Sequence, residues 1–371
     1  MAERVLVTGG AGFIGCHIIK ALLARGDTVR VLDSLIDQVH QDVAARDPVL
    51  DHVDLIRADV RDLDRVSAAL QGVDSVIHLA AEVGVGQSMY AIDRYVSVND
   101  TGTAVLFQAL IDRPVRRVVV ASSMSVYGEG LYRTAAGERL DDVLRSNGKV
   151  NGTWNPLGPD GTPLTPIGTP EWKRINLASV YALTKYVQER LTLTVTPAYG
   201  MEGVALRLFN VYGPGQALSN PYTGVLAIFA ARLQNRERPL VFEDGEQRRD
   251  FVHVEDVARA FLLALDNPAA AGQVFNIGSG RDVSILEVGA ALARAMGVPH
   301  LTPEVMDKAR IGDIRHCFGD ISLAREVLGF QPRRTFDDSL GELADWVRSQ
   351  QARDQVEHAR DELERRGLVA S

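Results

Sequence analysis

The chain of 371 residues contains only two cysteines, Cys16 and Cys317. So few exclude a disulfide framework and any four-cysteine metal site, and two buried thiols are the expected state. No apolar stretch approaches the roughly 18 residues that a membrane-spanning helix needs. The opening MAERVLVTGG places strand-forming residues where a signal peptide needs a long apolar core, so a cytoplasmic protein is expected. Positive charge is in deficit: 40 Lys and Arg face 48 Asp and Glu, a formal charge of −8. That balance excludes a generally basic nucleic-acid binder and a polybasic membrane-surface protein, while leaving room for a local basic pocket. What remains is an ordinary globular composition, 46% apolar and 24% charged. The length is ample for a sizeable core.

The first third alternates short β-branched runs with amphipathic stretches. Val5–Val7, Val29–Leu32, Leu55–Arg57, Ser75–Leu79 and Val118–Ala121 read as strands, and Ile14–Ala24 as a helix. Such runs separated by helices indicate parallel strands covered on both faces. Right-handed crossovers then give an α/β fold, a Rossmann-type doubly wound parallel sheet. Ala91–Leu110 and Val180–Val195 are the long helices. Between residues 131 and 175 the rhythm breaks, and Asn151–Pro170 holds five prolines and four glycines, a loop composition. Val204–Phe209 and Val274–Ile277 return as strands. The expected division is a dinucleotide-binding domain over 1–203, with later strands 204–210 and about 273–278 rejoining it. A smaller mixed α/β substrate lobe is expected over 211–345, and a C-terminal helical extension over 346–371. The charged stretch Glu342–Leu368 is expected on the surface, with Leu343, Trp346, Leu363 and Leu368 as its anchors.

Gly9, Gly12 and Gly15 lie three apart between the first strand and first helix. The first glycine allows the sharp turn, the second lets a pyrophosphate approach the backbone, and the third lets helix and strand pack closely. Backbone N–H groups and the helix dipole favour an anion there. Asp33 closes the second strand 18 residues beyond Gly15, placed to accept adenosine ribose hydroxyls and to repel a 2′-phosphate. Ser34 and Leu35 follow with no arginine, so NAD is expected rather than NADP.

Tyr181 and Lys185 stand four apart on a helix, hence on one face. A free phenol titrates near pH ~10, and a neighbouring ammonium is expected to lower it toward use as a base. The Ser122–Ser125 cluster follows a buried strand, where α/β sheets bind ligands. The alternative for those serines is ordinary loop hydrogen bonding.

TGGAGFIG (8–15), HLAA (78–81), SSMSVYG (122–128), YALTK (181–185) and RLFNVYGPGQ (207–216), in this order, resemble the extended short-chain dehydrogenase/reductase superfamily, and within it nucleotide-sugar epimerases. The resemblance runs from residue 4 to about 345. It implies Ser123, Tyr181 and Lys185 as catalytic residues, with Tyr181 and Lys185 also on the cofactor. It puts Phe13 and Ile14 of the glycine turn on NAD, Asp59 and Val60 beside the adenine, Leu79, Ala80 and Ala81 along the cofactor, and Asn99 in support. His78 is structural in this motif.

Similar dehydratases carry Asp-Glu after the catalytic hydroxyl residue; here Met124 and Ser125 follow, neither a usable acid. The resemblance therefore implies 4-epimerisation. Tyr181 takes the 4-hydroxyl proton as C4 gives hydride to NAD, the 4-ketose rotates, and hydride returns to its other face. For the nucleotide sugar it implies Asn210 at the sugar–diphosphate junction, Arg249 and Arg310 on the diphosphate, Phe242 stacked on the base and Asp313 on the ribose. Val83, Ser125 and Val225 join that site, Gln87 and Ser88 touch the hexose, and Cys317 sets the hexose-pocket size or is simply a buried small hydrophobe. The stretches 83–90, 217–225 and 313–317 are similar to bacterial dTDP-L-rhamnose 4-epimerases, so a dTDP- or UDP-linked hexose is implied. A homodimer through a four-helix bundle of the two long helices is also implied. A 4-ketoreductase, and a non-enzymatic NAD-sensing protein, are the competing readings.

Overall fold

Seven short runs pair side by side into one parallel sheet: β1 (Arg4–Thr8), β2 (Thr28–Asp33), β3 (Asp54–Arg57), β4 (Ser75–His78), β5 (Arg117–Ser123), β6 (Glu202–Leu208) and β7 (Val274–Ile277). The computed structural model describes residues 2–40, 47–145, 148–218, 224–310, 313–350 and 356–370. The strand order is β7-β6-β5-β4-β1-β2-β3, so the chain reverses direction of travel between β1 and β4. This is the Rossmann-type arrangement expected from the alternating runs. Side chains alternate across β1: Val5 and Val7 join Ile18, Leu22 and Phe261 on one face, and Leu6 joins Val76, Leu106 and Leu110 on the other. All seven β5 residues, RVVVASS, are buried, as a central strand covered by helices on both faces must be. Among the described residues no helix is long and apolar enough to cross a membrane.

The first turn is set by its glycines. Gly9 takes φ +68°, and a Cβ there would stand 2.7 Å from the Ala80 backbone nitrogen. A Cβ on Gly15 would stand 2.4 Å from the Gly10 carbonyl oxygen, so the helix Phe13–Arg25 can approach the turn only with glycine there. Ser179 starts the helix Val180–Ala198 by accepting a hydrogen bond from the Ala182 N–H at 3.1 Å.

The smaller lobe is built around Arg248–His253, which pairs parallel with Asn210–Tyr212 and His316–Cys317 and antiparallel with Asp282–Ser284. Its core joins Leu226 and Phe229 to Leu292, Leu340, Leu343 and Val347.

Three segments differ from the sequence reading. The long helix expected at Ala91–Leu110 is interrupted: Ile92–Tyr95 and Gly102–Asp112 are α-helical, and Val96–Thr101 between them is a π turn. The stretch expected as a loop contains Thr165–Ile167, an edge strand pairing antiparallel with Leu131–Arg133, which also pairs with Arg139–Leu140. Its Pro166 lies opposite Tyr132, and an edge tolerates the missing N–H. The C-terminal stretch is not one surface helix. Phe336–Arg348 lays Leu340, Leu343 and Val347 into the smaller lobe's core, a second helix spans Val356–Arg365, and Val369–Ala370 pairs antiparallel with Ala309–Arg310.

Gly15→Ala should destabilise the protein by about 1–3 kcal/mol in urea unfolding, because the added methyl meets backbone that cannot move aside. Gly341→Ala, in a helix where a Cβ meets nothing within 4 Å, should be neutral or stabilising by up to about 1 kcal/mol.

Candidate active site

A cavity of about 870 Å³ opens at the carboxyl ends of the strands, at the reversal between β1 and β4. Open α/β sheets bind ligands at such a point. Gly9, Gly12, Phe13, Ile14, Gly15, Asp33, Asp59, Val60, Leu79, Ala80, Ala81, Val83, Ser123, Tyr181, Lys185 and Asn210 all line it. The Gly12 position is the open one of the three glycines: a Cβ there would meet only the Gly9 carbonyl oxygen, at 3.3 Å. A pyrophosphate fits against that bare backbone. Asp33 accepts from the Ala11 and Leu35 N–H groups at 3.0 and 2.8 Å, which fixes its carboxylate at the end of β2. Of the two arginines that line the cavity, Arg94 pairs with Glu82 at 2.6 Å, and Arg61 is bound by both oxygens of Asp59, at 2.6 and 2.8 Å. Its charge is thereby matched, which keeps this end suited to NAD, without a 2′-phosphate.

Ser123, Tyr181 and Lys185 converge on the same cavity, from the end of β5 and from the first two turns of the Val180–Ala198 helix. Ser123 Oγ accepts from the Ser125 N–H and donates to Ser125 Oγ, both at 3.2 Å. The hydroxyl thus also makes the local bonds of the competing loop reading, yet it faces the cavity. Burial pushes the Tyr181 phenol above its usual value, and a hydrogen bond with Ser123 opposes the rise. This direction is opposite to the expected one, because burial of the phenol itself is the largest effect. Burial pulls Lys185 down to about 7. Lys185 Nζ donates to Gln188 Oε1 at 2.7 Å, one turn along the helix.

Behind the trio is a dry polar layer. The π turn widens the helix at Asn99, whose Oδ1 accepts from the Glu82 N–H at 2.7 Å and whose Nδ2 donates to Thr184 Oγ1 at 2.9 Å. Asn99 therefore supports the Leu79–Glu82 run from behind and is not in the cavity wall. His78 lies between Thr8 Oγ1 at 2.7 Å and Thr103 Oγ1 at 2.8 Å. Thr103 donates to the Asn99 carbonyl at 2.6 Å and accepts from Gln188 Nε2 at 2.8 Å, and the same Gln188 nitrogen stands 3.2 Å from His78 Nε2. Burial lowers the imidazole to about 3, which makes it a neutral structural group.

The residues assigned to the nucleotide sugar fall in two places. Phe242, Arg249, Arg310 and Asp313 lie outside the main cavity and form one cluster in the smaller lobe. Arg310 binds Asp313 at 2.7 Å and lays its guanidinium over the Phe242 ring, 4.7 Å from the centroid, while Arg249 stands 3.5 Å from Asp313. Arg310 and Arg249 hold the Asp313 carboxyl down at about 2 against the opposing effect of burial. Ser125, Val225 and Cys317 are also outside the cavity wall. Val225 begins the helix Val225–Gln234 and packs on the smaller lobe's core. Cys317 packs with Met124, Tyr127, Phe209 and Ile314, and burial pushes its thiol up to about 12. Cys16 is likewise a buried thiol, in the main core. Gln87 accepts from Gln38 Nε2 and the Tyr95 hydroxyl at 3.2 Å each, and Ser88 donates to the Val85 carbonyl at 2.7 Å. Residues 219–223 of the similar stretch 217–225 lie outside the described residues.

Several participants carried no signal in the sequence. Glu82 and Arg94 pair at 2.6 Å in the cavity wall, and Arg94 also donates to Gln38 Oε1 at 2.9 Å. Gln188 has no motif of its own; the helical spacing from Lys185 is the signal that would have found it.

Residues 5–147 and 153–278 match the family model described as the NAD dependent epimerase/dehydratase family. A dTDP-L-rhamnose 4-epimerase from Burkholderia thailandensis is 35% identical over 350 residues, covering 93% of this chain and 95% of that protein. Among solved structures, a UDP-glucose 4-epimerase from Thermotoga maritima, with UDP-glucose, superposes with a TM-score of 0.75 at 28% identity, covering 93% of this chain and 99% of the other. A dTDP-glucose 4,6-dehydratase from Streptomyces venezuelae, solved with NAD, gives 0.75 at 27% identity, covering 93% and 97%. With its glycine turn, Asp33 and the Ser123, Tyr181 and Lys185 set in one cleft, the chain belongs to the NAD-dependent epimerase/dehydratase family and uses NAD as its cofactor.

Proposed function

We propose that the protein is a 4-epimerase of a nucleotide-activated hexose, dTDP- or UDP-linked, with a 6-deoxyhexose such as dTDP-L-rhamnose as a candidate substrate. One observation carries this reading: Ser123, Tyr181 and Lys185 share the cofactor cleft, and the next two residues, Met124 and Ser125, supply no acid for elimination. The 35% identity to a dTDP-L-rhamnose 4-epimerase supports the choice of substrate class.

NAD, held by the Gly9–Gly15 turn, Asp33 and the Leu79–Ala81 run, supplies a reversible hydride acceptor. The chain's own residues do the rest. Ser123 holds the sugar's 4-hydroxyl by hydrogen bond, and Tyr181 takes its proton and later gives it back. Lys185, buried and fixed by Gln188, sets the field at the phenol. In the smaller lobe, Arg249 and Arg310 take the substrate diphosphate through guanidinium forks, Asp313 the ribose and Phe242 the base. Asn210 lies where the two regions meet: it lines the cavity, and its Nδ2 donates to the Asp250 carbonyl at 3.0 Å. Residues 1–203 are thus the cofactor domain and 211–345 mainly the nucleotide-sugar lobe.

The division predicts a specific assay result. A panel of dTDP-, UDP- and GDP-hexoses, followed by proton NMR at C4, should show one epimer pair equilibrating with no added reductant. Stoichiometric consumption of NADPH would instead identify a 4-ketoreductase. Tyr181→Phe should lower kcat by about 10²–10⁴-fold and leave nucleotide-sugar binding unchanged, read by calorimetry.

Lys185 gives a pH signature. Its folded value of about 7 lies below the 10.5 of the unfolded chain, so the unfolded state binds more protons between those values. In cofactor-depleted protein, stability from this group should therefore rise from pH 7 to pH 10, and Lys185→Met should abolish that rise in denaturation curves.

We also propose a homodimer. Ile92, Val96 and Leu183 are exposed apolar residues on the two adjacent long helical segments, an arrangement that a second copy would cover. Light scattering should give twice the 40.4 kDa chain mass, and Val96→Glu with Leu183→Glu should return it to the monomer value.

A further inference from the structure

The segment between residues 131 and 175 does more than add a small sheet. After Arg139–Leu140 it turns toward the smaller lobe and buries a guanidinium there. Arg145 donates to Glu243 Oε1 and, at 3.3 Å, to the Asp313 carbonyl; its side chain is 11% exposed and that of Glu243 is fully buried. The other Glu243 oxygen accepts from Arg315 at 2.8 Å, and Arg315 forks onto Asp244 at 2.6 and 2.9 Å. Asn155 of the same segment accepts from Arg315 at 2.8 Å. The residue clamped in this way directly follows Phe242 and holds φ +55°, a left-handed conformation that is unfavourable for a residue with a Cβ.

Charge gives the clamp a second meaning. Around the Phe242–Asp244 turn and Asp313, the described guanidinium groups are Arg145, Arg249, Arg310 and Arg315, and the carboxylates they meet are Glu243, Asp244 and Asp313. Four cations face three anions. Without Arg145 three guanidinium groups would meet three carboxylates. Arg145 helps hold Asp313 ionised. Behind this cluster Glu129 accepts from the Arg315 N–H at 2.6 Å, and burial pushes its carboxyl up from the usual value.

We propose that Arg145 is a positioning residue of the nucleotide site: it fixes the Phe242–Asp244 turn and supplies the positive surplus that draws in the diphosphate of a nucleoside diphosphate sugar. This gives the inserted segment a role in nucleotide recognition, and it rests on the reading that Arg249, Arg310 and Phe242 hold the nucleotide.

The test uses the full-length protein with UDP and dTDP in titration calorimetry, alongside KM and kcat for the nucleotide sugar turned over. Arg145→Ala should weaken nucleoside diphosphate binding about tenfold or more and raise KM in step, with kcat changed less than about threefold and the bound NAD content unchanged. Arg145→Lys should recover part of the affinity, since it restores charge without the fork. The salt dependence of binding should weaken in the alanine variant and return in the lysine variant. Should Arg145→Ala fail to fold, Arg145→Met, which keeps the buried stem, replaces it. Affinity and KM within twofold of the parent in the folded variant would overturn the proposal. A parent protein that binds neither UDP nor dTDP would overturn the nucleotide-site reading and this inference together.

Discussion

Holding an ammonium group out of water beside a phenol is the constraint on which the rest of this structure depends. Lys185 is 4% exposed, and a buried charge is tolerated only where hydrogen bonds replace hydration. Gln188 supplies the first, and its own amide is fixed by Thr103 at 2.8 Å and the Ala80 carbonyl at 3.3 Å. Thr103 is fixed in turn by His78 and Asn99, and His78 by Thr8 at the end of β1. The chain of bonds therefore runs from the catalytic helix to the first strand. It crosses the Leu79–Ala81 run that walls the cofactor cleft, so cofactor binding and lysine placement share one scaffold. A neutral His78 suits this use, because a second charge there would oppose the first.

The two ends of the site treat anions by different physics. At the glycine turn, backbone N–H groups and a helix N-terminus meet a diphosphate with no formal charge on the protein side. In the smaller lobe the guanidinium groups are already engaged, Arg310 with Asp313 and Arg249 with the backbone carbonyls of Arg248, Ile314 and Arg315, so a ligand must displace or share these contacts. Arg310 illustrates the exchange, since it covers Phe242 and binds Asp313 at the same time. The formal charge of −8 is an average over a surface and does not describe either end.

What could be read from the sequence was what is local. The β1–turn–helix unit, Asp33 at the end of β2 and the four-residue spacing of Tyr181 and Lys185 depend on neighbours a few residues away, and these lie together in the cleft. The π turn at Val96–Thr101 was invisible, because its composition suits an α-helix and the partners of its Asn99, Glu82 and Thr184, come from distant segments. Thr165–Ile167 was hidden by a proline that an edge strand accepts. Arg145 read as one arginine among many until the fold brought it to Glu243, 98 residues away. The direction of the Tyr181 shift was missed for a related reason: spacing shows that two groups are near, and only burial shows that both have lost their water.

The proposed 4-epimerisation requires a substrate held firmly at one end and free to turn at the other, and the polar groups are distributed in a way that suits it. In the smaller lobe Arg249, Arg310 and Asp313 make directional, charged contacts. On the Ser123 side the cavity wall also carries Phe209, backed by Met124 and Cys317 in one apolar cluster. Such surfaces attract without specifying an orientation, whereas a ring of hydrogen-bond donors would select one face of the hexose. The C-terminal segment reaches both ends. Val369 pairs with Arg310, Leu363 is buried against Gly86, and the Arg366 guanidinium lies 4.3 Å from the Tyr90 ring centroid. It ties the Ala309–Arg310 strand to the segment Gly86–Tyr90, so the smaller lobe and that segment are kept in register by the chain's last turn of helix and its final strand.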